Sequence, residues 1–479
     1  MKLTVLLVTG FASAALARNS LSVFYTFPGS GSAGEPLSPI IQASDGNFYG
    51  TASGAYPSVG VVFRITPSGQ FTVVYNFPLD NATQTAPNGV VPYGQLLEAR
   101  DAYLWGTTRD GGVGKQNCAG VYGCGTVFRV SKDGTSFQSV YAFCTQPTCP
   151  DGASSQGGLT QTANGTIYGT TYGTTFSTIF QVVSLNSVQT LSKFNSTTGC
   201  WIRTGLTQAS DGLLYGVASA CGQSGGGTVF QATPAGVVNV LHNFGIATPA
   251  GSGPSGQLIQ GISGKLYGTT LSGGTSGGCG GNGCGTVFEI DTTGGFQTLY
   301  NFDSNTTGNG PLGGLLQSSG GNLWGTTISG PKTGLGVVYE LTSTGSLVQV
   351  LPLDYYNTGG APYGNLLWAS DGNLYRTASY GGANATGLGT IFVVNTAAPP
   401  RPAIRGFSPA TGAAGVRVLI RGAHFIGATA VSFNGVAATF TVLNVNSIRA
   451  VVPPGATTGP ISVKTAAGTA TRKSVFTVQ

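Results

Sequence analysis

Only 8% of the 479 residues carry charge, against roughly 25% in an average globular protein, yet 41% are apolar and 10% aromatic, which is enough for a core and excludes the disordered class. The formal charge of +6 is uneven: residues 401 onward hold six Arg and two Lys without an acid, whereas residues 1 to 400 hold 13 basic and 15 acidic side chains. Two histidines, His242 and His424, leave little material for a Ser-His-Asp nucleophile or a multi-histidine metal centre.

In chain order, Met1 to Ala17 comes first, with an early Lys2, an apolar run from Leu3 to Leu7 continuing loosely to Leu16, and Ala15-Leu-Ala17 as a small-residue cleavage site. This pattern predicts a signal peptide at 1–17, too short for a membrane span, and a mature chain from Arg18. No later segment approaches 20 apolar residues, so no membrane span is expected. Ser22-Val-Phe-Tyr-Thr-Phe27 follows as an isolated strand-like piece.

From there to residue 397 the chain repeats. Seven aromatics (Tyr49, Trp105, Tyr168, Tyr215, Tyr267, Trp324 and Tyr375) each stand four residues after a tight-turn position and open a Tyr/Trp-Gly-Thr-Thr-like segment, except that Arg376 replaces the last glycine. Each unit reads as four short strands. The pieces are of the kind Pro92 to Ala99, Leu104 to Thr108, Gly125 to Val130 and Phe71 to Phe77, with Gly, Asn, Asp, Ser or Pro between them, a strand-and-turn pattern. Third-strand pieces number seven, but after Val394 the chain runs into Ala397-Ala-Pro-Pro400 and no fourth strand follows. Ser22 to Phe27 matches the missing piece. An all-β fold is predicted over 18–397: a seven-bladed β-propeller with four antiparallel strands per blade, whose amino-terminal strand closes the last blade. The alternative, an open solenoid of the same repeats, gives that strand no role.

The recurring Leu-Tyr-Gly-Thr-Thr, Gly-Thr-Val-Phe and Leu-Tyr-Asn-Phe pieces, together in Lys265 to Phe302, resemble the tandem repeat of the bacterial choice-of-anchor GloVer (Gloeo/Verruco) repeat proteins over roughly residues 20 to 397. The resemblance implies export and a surface or extracellular setting, and brings no catalytic residues. Members often end in an anchor; here no apolar span or sorting tail follows residue 397. After a linker at 398–402, residues 403–479 resemble an IPT/TIG domain through Ile404 to Gly412, Val418 to Phe425, Val431 to Gly435, Ala450 to Ala456 and Gly459 to Val463. That resemblance implies an immunoglobulin-like β-sandwich, which the alternation and turn spacing also suit. Its basic residues form no run longer than Arg472-Lys473 and read as scattered, solvated charges. The competing reading is contact with an anionic surface.

Eight cysteines fall into four local pairs, Cys118 with Cys124, Cys144 with Cys149, Cys200 with Cys221 and Cys279 with Cys284, and an even count in an exported chain reads as disulfides. A four-thiolate metal site from Cys118, Cys124, Cys279 and Cys284 is disfavoured, since those residues belong to blades two and five.

Loop lengths separate scaffold from working face. The first-to-second turn is invariant, whereas second-to-third spacings run from 12 residues (Tyr168 to Phe180) to 23 (Trp105 to Phe128). Up-and-down strands put the variable loops and all eight cysteines on one face, where binding usually resides. Eight residues before each first turn, near the innermost strand, the units carry Leu37, Tyr93, Gln156, Arg203, Ser255, Leu312 and Tyr363. Tyr93, Arg203 and Tyr363, with neighbouring Trp201, are the candidate ligand-binding residues, since phenol and indole rings offer an apolar face and a polar handle to a sugar; the competing reading is that Tyr93 and Tyr363, each in Pro-Tyr-Gly, only close the blade ends. Glu35, Asp80, Asp110, Asp151, Asp303 and Asp354 lie on the same face, but no spacing singles out a carboxylate pair. The expectation is a monomeric secreted or extracellular protein binding a polysaccharide or protein, with no catalytic residue, metal or cofactor. The alternative is a carbohydrate-active hydrolase or lyase using those carboxylates.

Overall fold

Short first-to-second and third-to-fourth turns join neighbouring strands as hairpins. In the computed structural model, Ile41–Gln42, Phe48–Ala52, Val61–Ile65 and Phe71–Asn76 pair in sequence order. The structure describes residues 19–396 and 401–479 apart from 29–33, 54–58, 81–82, 84, 113–121, 174–175, 277–278, 332, 383–386, 426, 445 and 466. The expected signal peptide, Cys118 and residues 398–400 of the expected linker lie outside these. Among the described residues there are seven such sheets. In the last, Leu367–Trp368, Leu374–Ala378 and Thr390–Asn395 are completed by Ser20–Thr26 from the other end of the repeat region, with Ser20 opposite Asn395 and Thr26 opposite Thr390.

The sheets pack face to face in a circuit, and the repeat aromatic is what joins them. Tyr49 is buried in one cluster with Phe128 of the next sheet, Trp105 with Phe180, Tyr168 with Phe230, Tyr215 with Phe288, Tyr267 with Tyr339 and Trp324 with Phe392. Tyr375 returns to Phe63 of the first sheet. The glycine after the aromatic makes room for its own sheet's third-strand ring: a Cβ on Gly216 would stand 2.5 Å from Phe230 Cζ.

The innermost strand is shorter than its sequence piece, only Leu97–Glu98 and Val90–Pro92 within the stretch around Tyr93. Between them the chain lies along the neighbouring sheet. A Cβ on Gly157 would stand 2.5 Å from Thr204 O, and second-strand threonines donate across the gap, Thr51 to Pro92 O at 3.2 Å, Thr107 to Gly157 O at 3.2 Å and Thr170 to Thr204 O at 2.8 Å.

At the tight-turn end, seven residues before the repeat aromatic, Gln42, Gln161, Gln208, Gln260 and Gln317 each staple two sheets. Each accepts a backbone N–H from the preceding sheet's turn at 2.7–3.1 Å and donates Nε2 to a carbonyl of its own turn at 2.8–3.0 Å. Glu98 does the first of these with Ser44 N at 2.8 Å. In the seventh sheet the position is Trp368. That seam between the sixth and seventh sheets differs elsewhere too: Thr326 Oγ1 is buried without a partner, and Arg376, fully buried, donates Nη2 to Pro362 O at 2.5 Å.

Residues 403–479 form two sheets, Ala403–Ser408, Arg417–Ala423, Ser447–Val451 and Phe440–Asn444 in one, with Gly468–Val478, Gly459–Thr465 and Ala430–Phe433 central to the other. Val418, Ile420 and Ile448 of the first meet Phe433, Val463 and Phe476 of the second in one core. This sandwich seats on the tight-turn end of the circuit. Arg421 donates Nη2 to Gln208 Oε1 and Arg405 Nη2 to Gln317 O at 3.4 Å, while His424 meets the Trp368 ring edge-on at 4.9 Å. The expectation of solvated, scattered arginines is thereby corrected for Arg405 and Arg421, whose side chains are taken up by the docking surface.

His424 is buried with neither ring nitrogen partnered, and burial, reinforced by Arg405, drops its pKa from 6.5 to about 3. The unfolded imidazole therefore binds a proton between pH 6.5 and 3 where the folded one does not, so stability falls as pH drops through that window. The chain should be about 2 kcal/mol less stable at pH 5 than at pH 7 from this group alone. Denaturant titrations of His424→Phe should lack that component, and an identical pH slope in the variant would refute the assignment.

Candidate functional site at the loop end of the central strands

At the opposite end, the chain enters each innermost strand through one recurrent conformation. Two residues before each of Leu37, Tyr93, Gln156, Arg203, Ser255, Leu312 and Tyr363, the backbone is left-handed: Glu35, Val91, Ser154, Trp201 and Ala361 have φ between 47° and 61°, and Gly253 and Gly310 have 65°. Non-glycine residues in this region are strained and cluster where the fold imposes them. Seven repeats thus aim their next residues by the same device, while the side chains at the end of it differ.

Three of the four sequence-predicted residues meet there electrostatically. Burial raises the Tyr93 phenol, Arg203 and then Arg109 pull it back, and Tyr363 raises it. Groups of the fourth and seventh sheets are thus near enough to Tyr93 of the second to act on its phenol. Trp201, 47% exposed, stands beside them: the Arg203 guanidinium lies 5.8 Å from its ring centroid and 4.8 Å over Tyr172. Arg203 Nη2 also donates to Tyr172 Oη at 3.2 Å, which fixes the guanidinium between an indole and a phenol.

Tyr172, Arg109 and Tyr380 stand beside these candidates and were not singled out by the sequence reasoning. Tyr380 is 36% exposed, and its phenol is raised by burial, by Tyr363 and by Tyr355. For Arg109 and Tyr172 a signal existed: the residue four places after each repeat aromatic is Ser53, Arg109, Tyr172, Ser219, Leu271, Ile328 or Ser379, and Tyr380 stands one place outside that register. That second variable register sits inside an otherwise repetitive segment. Arg109 is held by Asp110, Nη2 to Oδ2 at 2.8 Å.

Four carboxylates of this face are engaged in building their own loops. Asp151 accepts from Cys144 N at 3.0 Å and Tyr141 Oη at 2.9 Å, Asp354 from Tyr356 N at 3.0 Å and Asn357 N at 2.9 Å, Asp303 from Asn305 N at 2.7 Å, and Asp80 from Thr83 Oγ1 at 2.7 Å. Cys144–Cys149 crosslinks the Asp151 loop, and Cys200–Cys221 and Cys279–Cys284 are two further local crosslinks. Cys124 is disulfide-bonded, while its expected partner Cys118 lies outside the described residues. The sulfur of Cys124 lies within 4.8 Å of those of Cys144 and Cys149, a grouping different from the one the sequence invited. His242 stacks on Phe296 at 3.9 Å in its strand, away from this chemistry.

The fold and its repeated sheets define a propeller-like all-β protein. The chain belongs to the Gloeobacter/Verrucomicrobia repeat family, whose repeat matches residues 12–209, 116–320 and 205–440. No curated protein matches it in sequence. Among solved structures it is similar to virginiamycin B lyase from Staphylococcus aureus, with a TM-score of 0.52 at 17% identity over 79% of this chain and 100% of the lyase. It is also similar to a fungal alcohol oxidase in complex with copper, with a TM-score of 0.50 at 13% identity over 97% of this chain and 100% of the oxidase. Identities this low show a shared fold and carry no chemistry across. Among the described residues no helix is long and apolar enough to cross a membrane.

Proposed function

We propose that this chain is a secreted or cell-surface binding protein, exported by residues 1–17, in which a seven-bladed propeller recognises an extracellular polysaccharide at the loop end of its central channel. An IPT/TIG-type immunoglobulin-like domain at 403–479 closes the other end. The observation that carries the reading is the Arg203 guanidinium held between the Tyr172 and exposed Trp201 rings, close enough to Tyr93 of another sheet to act on its phenol, as Tyr363 does. Exposed aromatic faces stack on the apolar side of a sugar ring, while phenol and guanidinium donors meet its hydroxyl or carboxylate oxygens. A protein ligand would use the same anchors.

The test is a glycan-array and polysaccharide pull-down screen on the mature chain, with product analysis of every bound glycan. Trp201→Ala and Arg203→Ala should each weaken binding about tenfold to a hundredfold, leaving the thermal midpoint within a few degrees and the glycan intact. Shortened glycan would replace recognition by catalysis. Binding that survives both substitutions would remove the mouth from consideration.

A further inference from the structure

The surface where the sandwich meets the circuit of sheets gathers cations without acids to match. Arg405 and Arg421 of the sandwich and Arg100 of the second sheet's turn line a cavity of about 390 Å³. Arg100 also lines an adjoining cavity of about 440 Å³ with Arg417 and Arg449. Glu98 is the one carboxylate lining either cavity among the described residues, and it is engaged by Lys132 and by Ser44 N and Oγ.

The guanidinium donors here find neutral acceptors or none. Arg421 donates to Gln208 Oε1, Arg100 to Ala163 O and Arg405 to Gln317 O, while Arg405 Nε and Arg449 Nη2 are buried without a partner. Carbonyl and amide oxygens satisfy an N–H but do not neutralise a charge, and an uncompensated buried cation costs several kcal/mol. The groups also repel one another. Burial and then Arg449 lower the pKa of Arg100, burial and then Arg100 lower that of Arg421, and burial alone brings Arg405 down to about 10.

We propose that the cavity between the sandwich and the sheets is a binding site for a small multivalent oxyanion, held by Arg405 and Arg421 from one side and Arg100 from the other. Planar guanidinium forks match phosphate and carboxylate oxygens two at a time. The volume is at the small end of ligand pockets, which suits a diphosphate or a compact polycarboxylate and excludes a polymer. With donors from both units, the anion clamps the sandwich onto the circuit and stabilises the whole chain. The proposal is independent of what the loop end binds.

The experiment is isothermal titration of the full chain with sodium pyrophosphate and, separately, with citrate, at an ionic strength held constant with NaCl. One saturable site is expected, its affinity reduced at least tenfold in Arg405→Gln and in Arg421→Gln and little changed in Arg417→Gln, where the arginine is exposed. A preference for pyrophosphate or citrate distinguishes a phosphate from a carboxylate ligand. Should the glutamine variants fail to fold, phenylglyoxal modification of the unaltered protein, read by mass spectrometry, answers instead: pyrophosphate or citrate should protect Arg100 and Arg421 severalfold more than equal-ionic-strength NaCl. Heat indistinguishable from dilution with both anions, unchanged affinity in both variants, or equal protection by NaCl would each overturn the proposal.

Discussion

Phe27→Ala should lower the stability of this protein by about 3–5 kcal/mol, the range for truncating a fully buried phenylalanine. Phe27 is 0% exposed in the cluster where the last sheet meets the first, edge-on to Phe63 at 5.4 Å and to Tyr25 at 5.2 Å. Around it Phe24 meets Tyr375 at 5.0 Å and Phe48 at 5.5 Å. Phe24 and Tyr25 lie in the strand that completes the seventh sheet and Phe27 directly follows it, so the loss falls on closure of the whole circuit. Removing Ser20–Thr26 should go further. It would expose the Thr390–Asn395 strand as an unpaired edge, and such edges invite association between chains. Denaturant unfolding followed by fluorescence, with sedimentation of the deletion variant, checks both. A Phe27→Ala protein within 1 kcal/mol of its parent would mean that closure does not depend on this strand.

Arg376→Met should act in the opposite direction, raising stability by about 1–4 kcal/mol at pH 7, as when a buried charge is replaced by an apolar side chain of similar volume. Arg376 is 0% exposed, its Nε and Nη1 have no partner, and the neighbouring Tyr339 hydroxyl has none either. Burial pulls the guanidinium pKa from 12.5 to about 9, with Tyr339 opposing that shift. The folded pKa lies below the unfolded one, so the cost of the buried charge eases and the parent gains stability as pH rises toward the folded value. The advantage of methionine should therefore shrink between pH 8 and pH 10. Thermal midpoints at those two values measure it. A destabilised variant would show instead that the sixth-to-seventh seam needs the cation.

The architecture was legible because it is written seven times. The aromatic four residues past each turn is the side chain that packs on the next sheet, and the surplus third strand found the displaced Ser20–Thr26 as its partner. The local disulfides at Cys144–Cys149, Cys200–Cys221 and Cys279–Cys284 also follow from spacing. Less legible was the glutamine staple. It recurs at a fixed place, yet glutamine is an ordinary surface residue until the preceding sheet supplies its N–H.

The candidate site was half visible. Position within the repeat picked out Tyr93, Arg203 and Tyr363, but Tyr172 and Arg109 come from a different strand. Only the packing of neighbouring sheets brings Tyr172 to Arg203 and Arg109 within electrostatic range of Tyr93. The same holds at the far end. Arg405 and Arg421 look like solvated charges in sequence, because no local pattern records which surface the sandwich will cover. Repeat period, strand pattern and cysteine pairing are short-range properties, and the sequence by itself determined them. Which arginines are buried, which rings share the mouth and what the sandwich closes depend on contacts between residues up to hundreds of positions apart, and only the tertiary structure decided them.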